Sequence, residues 1–238
     1  MSVKVTSGMV LAAGLGTRMR PLTLTTPKPL IKVAGRTMAD HCLDRLKEAG
    51  IEDAVLNISY LGDQIKEHFS KRNDLSISFS EENEPLETGG GVVKALPLLK
   101  GDVFCVMNGD AVLVNGPHLA LNQMTEQWDK EAMDVLLLLH PKDKAIGYNG
   151  AGDFYINDVG KPDFRDDRKT APYVFTGVQL LARTAFDKKT QQKWSLREIY
   201  QDAIQQGRAR ALIHEGDWLH VGTPDGLQLA EDYFAKNS

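Results

Sequence analysis

Gly8-Met9-Val10-Leu11-Ala12-Ala13-Gly14-Leu15-Gly16-Thr17-Arg18-Met19-Arg20-Pro21 opens as an apolar run and turns at once into glycines. Residues 8–12 read as a short buried strand, and 13–16 as a tight turn leaving its carboxyl end. Glycines at such a turn let backbone N–H groups close on phosphate oxygens. A dinucleotide fingerprint would need a third glycine at position 19 and an immediate helix, and Met19 and Pro21 deny both. A Walker loop would need Gly-Lys followed by Ser or Thr, which this stretch lacks.

Outward from the turn, strands and helices alternate. Helical spacing covers 37–49 and stops at Gly50, a residue suited to a left-handed cap. Residues 54–58 and 75–79 read as strands on either side of a helix over 62–69. A helix over 90–99 must end or kink at Pro97. The strand 103–107 runs into Asn108-Gly109-Asp110, and a helix around 118–128 precedes a strand at 134–139. Strands at 153–156 and 173–181, then helices at 196–206 and 224–235, follow in less regular order. This pattern predicts an α/β fold, a doubly wound, mostly parallel sheet of Rossmann-like type in a single domain. In such sheets ligands sit beyond the carboxyl ends of the strands, so the glycine turn and the 108–110 turn share one edge.

Composition narrows the partners. The 238 residues suffice for one well-filled domain, with no Pro/Gly/Ser-rich linker, repeat or low-complexity tract. The N-terminus lacks a signal pattern, and the later apolar run 135–139 is far too short to cross a bilayer, so no membrane partner is expected. Cys42 and Cys105 have no paired or metal-type spacing and read as reduced thiols of a cytoplasmic protein. A net charge of −4 argues against a nucleic-acid surface. The charge is uneven, however. No acidic residue precedes Asp40, whereas Lys4, Arg18, Arg20, Lys28, Lys32 and Arg36 are basic. A polyanionic ligand held by this segment accounts for that bias better than a solvated face does.

A second motif, Thr26-Pro27-Lys28-Pro29-Leu30, places a lysine between prolines, which are expected to hold it in extended backbone and outside any helix. A stiffly mounted cation downstream of Arg18 suits a triphosphate whose charge must be neutralised during substitution. A third, Glu84-Pro85-Leu86-Glu87-Thr88-Gly89-Gly90-Gly91, opens a helix with glycines. They would allow close approach of a flat ring or a sugar edge, with packing against a neighbouring element as the competing reading. Asp110 ends an apolar strand and so presents its carboxylate at the site edge. Near the C-terminus, Gly216-Asp217-Trp218-Leu219-His220-Val221-Gly222-Thr223-Pro224 places an indole two residues before a histidine.

Together these motifs resemble the sugar-1-phosphate nucleotidylyltransferase family over nearly the whole chain. Within it, their character is similar to the N-acetylmuramate-α-1-phosphate uridylyltransferases of peptidoglycan recycling. The resemblance implies one domain over 1–238, with a nucleotide-binding half (1–112) and a sugar-phosphate-binding half (113–238). It implies a nucleotide site of Leu11, Ala12, Ala13, Gly14, Gly16, Thr17, Arg18, Lys28, Glu82, Thr88, Gly89 and Asn108. Arg18 would grip the outer phosphates, Lys28 would neutralise the α-phosphate, and Glu82 and Thr88 would meet the base. Gly109, Gly152, Asp153, Thr176 and Gly177 would meet the sugar phosphate, together with one cation among Lys161, Arg165, Arg168 and Lys169. Asp110, with Arg18 and Lys28, would be catalytic and would hold Mg²⁺, or Mn²⁺ in its place. Relatives pair that aspartate with a second one where this chain has His220, so the second metal ligand is left open. Phe175 stands where many relatives carry asparagine and fits the muramate branch, whose lactyl ether adds apolar bulk.

The expected activity joins a nucleoside triphosphate, UTP by this resemblance, to a sugar 1-phosphate with release of pyrophosphate, by a monomer. Guanylyl transfer to mannose or heptose 1-phosphate is the rival within the class. A regulatory subunit that binds nucleotide sugars without making them is the rival from another class.

Overall fold

The computed structural model describes residues 3–237, so the expected domain limits at 1 and 238 lie outside the described residues. β1 (Ser7–Leu11) is buried almost throughout. The chain then makes three single 3-10 turns, at Thr17–Met19, Leu22–Leu24 and Lys28–Leu30. β2 (Lys32–Val33) and β3 (Arg36–Thr37) form a hairpin whose two turn residues, Ala34 and Gly35, both have positive φ, the conformation that matches strand twist in a two-residue turn. α1 (Met38–Glu48) starts where the Thr37 hydroxyl accepts from the Asp40 N–H, and the chain leaves it through Gly50 at φ 74°. β4 (Asp53–Ile58), α2 (Gly62–Phe69) and β5 (Ser76–Glu81) follow.

α3 spans Glu87–Ala95 and passes into a 3-10 turn at Leu96–Leu98, where Pro97 removes a helical donor. β6 (Val103–Asn108), β7 (Ala111–Val114), α4 (Ala120–Gln127) and β8 (Val135–Pro141) come next. The last third supplies β9 (Phe154–Ile156), β10 (Pro162–Phe164), β11 (Tyr173–Ala182), α5 (Arg197–Gln205), β12 (Ala209–Ile213), β13 (Asp217–His220) and α6 (Pro224–Lys236).

Nine strands form the main sheet in the order β10-β9-β11-β6-β1-β4-β5, with β8 on β11 and β12 on β8. β6, β1, β4 and β5 are parallel, as is the β8–β12 pair, so the expected mostly parallel sheet holds. β11 runs antiparallel to both β6 and β8 and joins the two parallel parts. Its register against β8 jumps between Phe175 and Val178, so Thr176 and Gly177 form a bulge, which Gly177 accommodates at φ +85°. Helices cover both faces. α1 and α4 pack Leu43, Leu46 and Met124 over Leu56 and Met107, and on the other face α3 and α5 pack Val92 and Tyr200 over Met9 and Phe104. Among the described residues no helix is long and apolar enough to cross a membrane.

Two local expectations are corrected. Lys28 is not in extended backbone: it opens the 3-10 turn Lys28–Leu30, closed by Leu30 N–H to Pro27 O at 2.8 Å and Ile31 N–H to Lys28 O at 3.1 Å. Pro29 fits inside that turn because a first-turn residue needs no N–H partner. The glycines of 89–91 do not begin α3 but lie within it, two residues past its start at Glu87. β2, β3, β7, β10, β12 and β13 have no counterpart among the expected strands. β7 and β13 are only four residues each and find their partner in one another, outside the main sheet.

Candidate active site

β1, β4 and β6 end side by side, and a cleft of about 340 Å³ opens beyond their carboxyl ends. Leu11, Ala12, Ala13, Gly14, Gly16, Thr17, Arg18 and Lys28 line it from one side, Glu82 and Thr88 from another, and Asn108, Gly109 and Asp110 form part of its floor. The parallel register that sets Leu11 against Asn108 brings these segments together. Gly109 is required there. Its N–H donates to Leu11 O at 2.9 Å, and a Cβ would lie 2.5 Å from that oxygen.

The first two motifs meet through Gly16. At φ +61° it turns the backbone so closely that a Cβ would lie 2.9 Å from both Lys28 Cβ and Thr23 Cγ2. Lys28 then reaches across to Asp110, and their side chains form an ion pair, each largely shielded from solvent. Arg18 is exposed on the cleft rim and, among the described residues, pairs with no acidic group. The cleft thus carries one free cation at its rim and one cation–carboxylate pair at its floor.

The opposite wall is built from buried polar groups. Ala12 N–H donates to Asn57 Oδ1 at 2.8 Å, Asn57 Nδ2 donates to Glu82 Oε1 at 2.7 Å, and Leu86 N–H donates to Glu82 Oε2 at 2.9 Å. Asn57 was not among the expected site residues, although a lone amide in the apolar strand 54–58 was a signal for it. Met19, Pro29, Pro85, Glu87 and Gly222 also line the cleft unforeseen.

The model of a family described as nucleotidyl transferase matches residues 7–237. The chain belongs to the nucleotidyl transferase family. It is 38% identical to an N-acetylmuramate alpha-1-phosphate uridylyltransferase of Caulobacter vibrioides over 96% of both chains. It is 34% identical to the protein of that name in Neisseria meningitidis, over 94% of this chain and 96% of the other. The solved structure of HddC from Yersinia pseudotuberculosis complexed with GMP-PN has the same fold, with a TM-score of 0.77 at 22% identity over 97% of this chain and 100% of that one.

In this nucleotidyl transferase the glycines of α3 serve packing. Gly89 and Gly90 N–H both donate to Trp194 O, at 2.9 and 3.3 Å, so these helix-start amides are occupied. A Cβ at Gly89 would fall 2.3 Å from the Trp194 ring, and one at Gly90 only 1.9 Å from Gln192 O. Close approach is therefore to the chain itself, and Gly89 does not line the cleft. The Thr88 hydroxyl accepts from Leu196 N–H at 2.9 Å.

The remaining expected residues do not line the cleft. Gly177 abuts the Asn108 side chain, Thr176 is buried with its hydroxyl on Leu138 O, and Asp153 Oδ2 accepts from Phe175 N–H at 2.9 Å. Gly152, at φ +82°, donates to the Tyr148 hydroxyl. Of the four candidate cations, Arg165 donates to Gly152 O, Asp166 O and Arg168 O, and Arg168 pairs with Asp163 over the Tyr155 ring. None of Lys161, Arg165, Arg168 and Lys169 lines the cleft.

His220 stands opposite Ala111 in the β7–β13 ladder, and Ala111 directly follows Asp110 in the chain. Its ring stacks on Trp218 at 5.6 Å and meets Tyr148 edge-on at 5.7 Å. Burial lowers its pKa; Asp110 offsets this in part, while Lys28 and Arg18 lower it further. The ring is therefore neutral at pH 7, the form that can ligate a metal. Trp218 is a core residue whose Nε1 donates to Thr176 O at 3.0 Å.

Proposed function

We propose that this nucleotidyl transferase moves the uridylyl group of UTP to N-acetylmuramic acid α-1-phosphate, forming the nucleotide sugar and releasing pyrophosphate in cytoplasmic peptidoglycan recycling. The observation that carries this reading is the unpaired Arg18 beside the Lys28–Asp110 pair at the carboxyl edge of the sheet. The named relatives support the choice of base and sugar.

The sugar phosphate oxygen attacks the α-phosphorus in line, the new P–O bond forms, and the bond to the β-phosphate oxygen breaks. Arg18 binds the outer phosphates. Lys28 exchanges its pairing with Asp110 for the α-phosphate, where charge is redistributed in the transition state. No proton transfer and no covalent intermediate on the enzyme is required.

Asp110 and neutral His220 fit a divalent ion only in part. Among the described residues no group of three or more His, Cys, Asp or Glu is poised to hold a metal. One carboxylate with substrate phosphates suits Mg²⁺, and the imidazole suits Mn²⁺ better. Asp110 would hold the ion when it arrives with the nucleotide, and the ion would supply neutralisation of phosphate charge. The chain acts as a monomer, with neither nucleic acid nor membrane as partner.

A screen of four nucleoside triphosphates against several sugar 1-phosphates, read by pyrophosphate release, tests the reading. UTP with N-acetylmuramic acid 1-phosphate should exceed GTP with mannose 1-phosphate by at least about tenfold in kcat/KM, roughly 1.4 kcal/mol. A preference for GTP moves the protein to the guanylyl rival. No release with any pair leaves the binding-only regulatory role.

A further inference from the structure

The buried bridge between the two nucleotide walls has a polarity that allows few alternatives. It begins on a backbone donor, Ala12 N–H, and ends on another, Leu86 N–H, with Asn57 and Glu82 between them. Asn57 is 3% exposed and Glu82 5%. An amide passes polarity through, accepting on one side and donating on the other, whereas a carboxylate accepts on both sides. Between two terminal donors, one amide and one carboxylate satisfy every link. Two amides would set a donor against a donor, and two carboxylates an acceptor against an acceptor. Either fault is expensive in a buried network. The same logic orients the Asn57 amide, with Oδ1 on Ala12 and Nδ2 on Glu82.

The helix beside the bridge leaves room for it and no more. A Cβ at Gly91 would lie 2.8 Å from Glu82 Oε1 and 3.0 Å from Asn57 Nδ2. Ala12 begins the glycine turn that meets the phosphates in the reading above, and Glu82 to Thr88 carry the wall that meets the base. Asn57 is the link between them, reaching 45 residues back to Ala12 and 25 forward to Glu82.

We propose that Asn57 is a positioning residue for the nucleotide: through its two hydrogen bonds it holds the phosphate turn and the base wall at the separation a bound nucleoside triphosphate needs. This rests on the nucleotide reading of the cleft. Asn57 works before bond-making, by fixing the cleft in its binding geometry, so its loss falls on nucleotide capture rather than on turnover.

The test reverses the polarity of the bridge. Asn57→Asp alone opposes two carboxylates, and Glu82→Gln alone opposes two donors. In Asn57→Asp/Glu82→Gln the new carboxylate accepts from Ala12 N–H and from the new amide, whose oxygen accepts from Leu86 N–H. Each single variant should raise the UTP KM about tenfold, in Asn57→Asp with kcat within about threefold, and the double variant should bring KM down at least about threefold from either single variant. Hydrogen exchange at the Ala12 amide in the nucleotide-free protein gives an independent readout: slow in the original and double variant, fast in both singles. A double variant no better than the singles overturns the proposal. So does an Asn57→Ala variant that binds UTP as tightly as the original. Absence of pyrophosphate release by the unmodified protein overturns the functional reading alone, because Ala12 exchange and UTP titration still judge the bridge.

Discussion

Lys28 and Asp110, 82 residues apart in sequence, are each other's counter-ion at the floor of the cleft. A triphosphate bound as proposed would draw Lys28 away from that carboxylate, and a metal held by Asp110 would draw it away from the ammonium. Removing one partner leaves the other unpaired in a partly shielded place. Asp110→Ala should therefore nearly abolish turnover while tightening metal-free UTP binding. Lys28→Ala should tighten Mg²⁺ on the nucleotide-free protein. Calorimetric titration of metal and of UTP into each variant checks both, and unchanged Mg²⁺ affinity in Lys28→Ala would place the metal elsewhere.

Arg18 and Lys28 should fail differently. In the proposed reaction Lys28 would meet charge that shifts, so Lys28→Ala should lower kcat by about 100-fold or more with a smaller change in UTP KM. Arg18, free on the rim, would contribute to ground and transition states alike. Arg18→Ala should raise UTP KM about tenfold and spare kcat. Steady-state kinetics decide. Equal losses in both parameters for Lys28→Ala would make it an anchor only.

The register that sets His220 opposite Ala111 gives its side chain a defined part to play. His220→Ala should be milder than Asp110→Ala and should matter more with Mn²⁺ than with Mg²⁺. His220→Asp should lower the Mg²⁺ concentration needed for half-maximal activity. A variant with unchanged metal dependence would show that His220 serves only to pack Trp218 and Tyr148.

Two glycines offer a contrast between stability and binding. A Cβ at Gly90 would penetrate Gln192 O, whereas one at Gly14 meets nothing within 4 Å. Gly90→Ala should destabilise by about 1–3 kcal/mol in urea denaturation. Gly14→Ala should leave stability unchanged and act, if at all, on UTP KM. The reverse ranking would mean that the glycine turn, not α3, is the tightly packed segment.

Stability should fall in mild acid. His140 and His214 are 1% and 3% exposed, with ring centroids 6.1 Å apart, and burial lowers both pKa values. In the unfolded chain these rings take up protons near pH 6.5, before the folded protein can. Their contribution is therefore complete above about pH 6.5 and is lost as pH falls through the lower folded-state values. Asp74, held at about 2 by Lys47 and then Arg72, titrates well below this window. Tm should drop between pH 7 and pH 5, and His214→Asn should flatten the drop. A Tm independent of pH over that range contradicts this account.

The sequence by itself determined the alternation of strands and helices, the glycine turn after β1, and the edge on which Arg18, Lys28 and Asp110 gather. These are legible because apolar periodicity, glycine placement and strand ends are local, and a parallel sheet puts its strand ends on one side. Lys28 departed from its expected extended backbone because its prolines fit a single 3-10 turn equally well. Only the tertiary structure decided that the α3 glycines face Trp194 and Gln192, that Asn57 joins Ala12 to Glu82, and that His220 comes level with the Asp110 turn. Each of these depends on the register of distant strands or on the packing of one element against another, and neither is written in the spacing of neighbouring residues.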